Sequence, residues 1–150
     1  MIYENYTPVD GVIFRDCSVG FSTIGSSNAN NAPLNVRLTN PGTALWKNIT
    51  FEDIEVFECG QSAFTLEWHL NGGKVENVLV KNITVKRAAA AIRVAEDTGK
   101  YSDATLANLC KNFVFENFVF KGKKLAETDK ENSYYFSYSR PTLKDLFTVK

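Results

Sequence analysis

Val75-Glu-Asn-Val-Leu-Val-Lys-Asn-Ile-Thr-Val85 is one of four eleven-residue stretches that align without a gap. The others are Val9-Asp-Gly-Val-Ile-Phe-Arg-Asp-Cys-Ser-Val19, Trp46-Lys-Asn-Ile-Thr-Phe-Glu-Asp-Ile-Glu-Val56 and Cys110-Lys-Asn-Phe-Val-Phe-Glu-Asn-Phe-Val-Phe120. A motif that recurs at this spacing decides architecture before any local reading, because each copy must be the same structural unit stacked on the last.

Within each copy, positions four and six are apolar (Val12/Phe14, Ile49/Phe51, Val78/Val80, Phe113/Phe115), which is the period of a strand. Position eight is Asp16, Asp53, Asn82 or Asn117, and the apolar phase shifts by one immediately after it, resuming at Cys17/Val19, Ile54/Val56, Ile83/Val85 and Phe118/Phe120. Asp and Asn tolerate the left-handed backbone and bond to nearby main chain, so the strand is expected to bend there. Asn82 is expected to be buried at this corner and bonded to backbone. A catalytic role for Asp53 is the minor alternative. A second small polar column, Gly11, Asn48, Asn77 and Asn112, occupies position three.

After each copy comes a further apolar-alternating stretch: 33–39, 62–70, 90–95 and 133–139. These form a second sheet, with loops at 21–31, 96–109 and 121–132 absorbing the variable spacing. The expected fold is all-β, a right-handed parallel β-helix (solenoid) of about four coils in a single domain spanning 1–150. Alternating strands and helices would require helical apolar stripes, and only Thr105–Cys110 hints at one. Open sheet ends invite pairing, so either the natural chain is longer, this one being an internal or carboxy-terminal portion, or Thr142–Lys150 closes one end.

Composition narrows the partners. Seventeen basic residues balance seventeen acidic ones, so no net field draws the chain to nucleic acid or anionic lipid. No apolar run approaches the ~20 residues of a membrane helix, and Met1-Ile2-Tyr3-Glu4-Asn5 is no export signal. Three cysteines without metal-like spacing read as free thiols, with a Cys59 pairing as the alternative; Cys17 and Cys110 fall on core columns, as does Trp46. No metal, nucleotide or flavin motif is present, so no cofactor is expected; Asp129/Glu131 and Glu96/Asp97 are too sparse for calcium. Asn5, Asn48 and Asn82 match the glycosylation sequon, but the last two belong to the polar columns.

From Cys59 to Phe120 the order of features resembles the parallel β-helix core of polygalacturonases, the family 28 glycoside hydrolases of the pectin-lyase-like fold. Cys59-Gly-Gln-Ser-Ala-Phe-Thr-Leu-Glu67 sits where that family has its Gly-His-Gly-Ile-Ser-Ile-Gly segment. Asn71-Gly-Gly-Lys-Val-Glu-Asn-Val78 follows as its glycine loop does, and Ala91-Ile-Arg-Val94 falls where its Arg-Ile-Lys motif lies. The resemblance implies a secreted, extracellular or periplasmic protein that acts on acidic polysaccharide by inverting hydrolysis, which needs two acids ~6.5–9.5 Å apart. The departures fall on the chemistry. The family's aspartate pair is expected near Ser22-Thr-Ile-Gly-Ser-Ser27, which holds no acid. Its histidine is replaced by Gln61 or Ser62, and the lysine of Arg-Ile-Lys by Ala95. Only Arg93 carries over, as a sugar-carboxylate contact, so the chain is not expected to hold a complete catalytic set.

The strand phase supplies the remaining candidates. Thr65, Glu67 and His69 face outward on the second sheet, and Arg37 and Arg93 share that phase. Stacking is expected to bring Arg37, Glu67 and Arg93 side by side. As a groove floor, Glu67 would serve as acid or base with His69 as partner, and the arginines would grip uronate carboxylates. As structure, the same residues form a surface ion ladder worth ~0–1 kcal/mol per pair. Tyr135 is the outward aromatic best placed to stack on sugar. The partner is thus a polysaccharide or oligosaccharide, and the rival reading is a tail-spike, adhesin or surface module that binds glycans without cleaving them.

Overall fold

The structure, a computed structural model, describes residues 2–3, 8–22, 32–38, 44–69, 73–96 and 99–150. The Asn5 sequon, most of the loop at 21–31 including 23–27, and Asp97 lie outside the described residues. The strands are β1 (Ile2–Tyr3), β2 (Val9–Ser22), β3 (Leu34–Leu38), β4 (Leu45–Cys59), β5 (Ser62–Trp68), β6 (Lys74–Arg87) and β7 (Ala90–Glu96). After helix α1 (Asp103–Leu109) come β8 (Cys110–Phe120), β9 (Lys123–Lys124), β10 (Phe136–Tyr138) and β11 (Thr148–Val149).

The chain is all-β in character, and two sheets carry it. One has the order β11-β8-β6-β4-β2 and the other β1-β3-β5-β7-β10. Every neighbouring pair in both is parallel, and only the short β9 turns back antiparallel on β8. The register follows the sequence copies column by column: Val12 faces Ile49, Ile49 faces Val78 and Val78 faces Phe113. Like residues at like positions keep the core continuous between the sheets, where Trp46, Phe51, Phe64, Phe113, Phe115 and Phe118 are fully buried. Phe64 of the second sheet meets Phe51, Phe113 and Phe115 edge-on at 5.1–5.8 Å between ring centres, a favoured aromatic geometry.

The bends fall at both polar columns, not only the second. Asp16, Asp53, Asn82 and Asn117 have φ of +51 to +54°, and Asn48, Asn77 and Asn112 have +52 to +56°, with Gly11 at +75°. Asn82 is half-buried, and its partners correct the expectation of backbone bonding. Its amide donates to the Asp53 carboxylate at 2.8 Å and its oxygen accepts from Asn117 at 2.9 Å. The other column runs likewise, from Asn112 to Asn77 to Asn48 to Asp10. Both are side-chain ladders whose donors point toward β2 and whose last acceptor is a carboxylate. The hydrogen bond from Asn48, with Lys47 beside it, holds the Asp10 carboxyl below its usual range.

The two ends of the stack differ. Residues 141–149 cover the β8 end, where β11 pairs with β8 and Leu143, Leu146, Phe147 and Val149 are buried. At the other end β2 has, among the described residues, a neighbour on one side only, and Val9, Val12, Phe14 and Val19 are half-buried. Cys17, expected in the core, is exposed there because among the described residues no strand lies beyond β2. Cys110 and Cys59 are buried, and all three thiols are free. The segment 96–109, expected as loop, contains α1, capped by the Ser102 hydroxyl accepting from the Thr105 amide and anchored by buried Leu106.

Candidate functional site

Strand pairing sets the outward face of the second sheet. Arg37 lies directly opposite Glu67, while Arg93 lies opposite Thr65, one diagonal step from Glu67. Arg93 spans that diagonal, its terminal nitrogen reaching Glu67 Oε1 at 2.8 Å. Arg37 Nε lies 3.0 Å from Glu67 Oε2 and donates to His69 Nε2 at 2.9 Å. His69 Nε2 is itself 3.4 Å from Glu67 Oε2. The structure thus brings four of the five sequence candidates into one group.

Burial changes what that group is. Glu67 is 1% exposed, whereas the Arg37, His69 and Arg93 side chains retain 11, 22 and 24%. An exposed ion ladder would leave the carboxylate in water; here it lies beneath the guanidinium groups. Taking it out of water is costly, and two close cations with charge-assisted hydrogen bonds offset that cost. With Arg37 against one oxygen and Arg93 against the other, Glu67 is placed as an acceptor that orients its partners.

Tyr135 does not join them. It sits just before β10, half-buried, with its ring against Phe120 at 6.1 Å and Tyr134 at 5.1 Å and with Lys123 Nζ 4.5 Å above it. Its phase was outward, but the strand begins one residue later and the ring turns into the corner. Asn35 was missed. It shares the outward row of Thr65 and Arg93, is fully buried, and its amide has no hydrogen-bond partner. Its place two residues before Arg37 was the available signal.

The other acids have structural work. Glu96 is 5% exposed, in the inward row beside Trp68; its backbone and Ser139 bond each other, and its carboxylate lies 3.9 Å from Arg140. Asp129 holds Lys123 and the Ala126 amide, and Glu131 pairs with Lys144. Among the described residues no group of three His, Cys, Asp or Glu side chains is arranged to hold a metal ion. Among the described residues no helix is long and apolar enough to cross a membrane.

Comparison of the chain with protein-family models, curated proteins and solved structures finds no match.

Proposed function

We propose that this chain is a right-handed parallel β-helix of about four coils that binds acidic oligosaccharide on the outward face of its second sheet. The alternation of strands between two parallel sheets supports the helix, and parallel crossovers are right-handed in nearly all proteins. The observation that carries the function is the clamp on Glu67. A buried carboxylate fixes Arg37 and Arg93 as partly exposed, pre-oriented guanidinium groups on one face. Guanidinium grips carboxylate bidentately, and orienting it in advance lowers the entropy lost on binding. Uronate units are the saccharides that offer that partner.

The resemblance to polygalacturonases supports a carbohydrate-active reading, and the geometry favours binding over cleavage. Inverting hydrolysis needs a proton donor and a second carboxylate separated by room for water. Glu67 is clamped, and among the described residues no second carboxylate joins the group.

Titration with hexagalacturonate tests this reading. The parent is expected to bind in the millimolar range and more tightly than it binds a neutral maltohexaose, and Arg93→Ala to bind less of the acidic ligand than the parent does. Equal binding by Arg93→Ala contradicts the clamp. Release of reducing ends by the parent that vanishes in Glu67→Gln would make the protein a hydrolase.

A further inference from the structure

Away from Glu67, the ends of β4, β6 and β8 meet at a corner where basic and aromatic side chains alternate. Register sets Phe57 beside Lys86, whose Nζ lies 4.3 Å from the ring centre, and pairs Glu58 with Arg87. After β8, Lys121 and Gly122 make the tight turn into β9, closed by the pairing of Phe120 with Lys123. Lys121 has φ +50°, and every other described residue with positive φ is Asp, Asn or Gly. A lysine is a strained choice for that backbone, and such strain gathers where a side chain is put to use.

The Lys121 ammonium sits 4.9 Å from the Phe120 ring centre and 5.0 Å from that of Tyr134, and donates to the Tyr134 hydroxyl at 3.2 Å. Among the described residues no carboxylate pairs with it. Beside it is a concavity of about 570 Å³ lined by Val85, Lys86, Arg87, Val119, Lys121 and Gly122. Exposed aromatic rings stand near it: Phe57 is 38% and Tyr134 52% exposed, unusual for large rings.

We infer that this corner is a second saccharide site, specific for acidic sugars and sharing no residue with the Glu67 group. Cations held over the rings of Phe57 and Tyr134, at the rim of a concavity, suit a ligand that carries carboxylates. Glu55 and Glu58 hold Lys86 and Arg87 at 2.6 and 2.9 Å. Their carboxylates are acceptors for sugar hydroxyls beside the cations.

Lys121→Asn tests the inference, because asparagine suits the left-handed turn and removes the cation. The variant is expected to melt at the same or a higher temperature than the parent while hexagalacturonate bound at saturation falls about twofold, from two per chain to one. Binding equal to the parent's overturns the site, and a lower melting temperature overturns the strain that points to it. Single-stranded DNA binding as tightly as hexagalacturonate would also overturn it, as would maltohexaose doing so. Arg93→Ala measured in parallel separates the two sites: a loss confined to that variant removes the corner and leaves the Glu67 clamp standing.

Discussion

Gly73 passes so close to Ala44 that a methyl group on its α-carbon would lie 2.2 Å from the Ala44 carbonyl oxygen, and the next amide, Lys74, donates to that same oxygen at 2.9 Å. Neither neighbour is a flexible side chain that could yield. Gly73→Ala is therefore expected to lower stability by about 1–3 kcal/mol in denaturant titration. The buried thiols make a second prediction. Burial pushes Cys59 up to about 11 and Cys110 up to about 12, from about 9. A group whose folded pKa lies above its unfolded value stabilises fully below the unfolded value and loses that contribution as pH rises toward the folded one. Stability is expected to fall as pH climbs from about 9 toward 12, with a shallower fall in Cys110→Ala; identical slopes in chemical melts would refute the assignment. In the folded protein at neutral pH, exposed Cys17 is expected to react with a thiol reagent well before the other two.

Each long strand of the first sheet is three short segments joined at two left-handed residues. The second bend was legible because the apolar phase shifts after Asp16, Asp53, Asn82 and Asn117. The first left the same mark, since the inward residues Trp46 and Ile49, or Val75 and Val78, are three apart, across Asn48 and Asn77. A strand without a bend cannot place such a pair on one face. The stacking of Arg37, Glu67 and Arg93 was likewise legible from phase. The burial of Glu67, the exposure of Cys17 and the turning of Tyr135 were not, because each depends on what lies beside the strand. The ladder carries its own prediction. Asn82→Leu loses two side-chain hydrogen bonds and puts leucine at φ +53°, so a loss of about 2 kcal/mol is expected. Asn82→Gly keeps the backbone comfortable and is expected to cost less. If the two variants melt together, left-handed strain is not what selects asparagine.

At the scale of the molecule, stability comes from neighbours in the two sheets, each strand covering the apolar row of the next. One end is finished by Leu143, Leu146, Phe147 and Val149; the other presents β2, with Phe14 stacked on Phe51 at 5.1 Å and Ile13 59% exposed. Both proposed saccharide sites depend on that order, since each draws its side chains from strands far apart in sequence and adjacent only in register. Register is thus the claim on which the rest stands, and a disulfide reads it directly. Glu55 and Thr84 are Cα partners across β4 and β6 on the outward face, and neighbouring strands ~4.8 Å apart suit the geometry of the bond. In a Cys17→Ser background, Glu55→Cys with Thr84→Cys should close on mild oxidation, giving the cross-linked peptide on digestion and mass spectrometry. Glu55→Cys with Val119→Cys, two strands away, should remain reduced. Closure of the distant pair, with the adjacent one open, would contradict the parallel register.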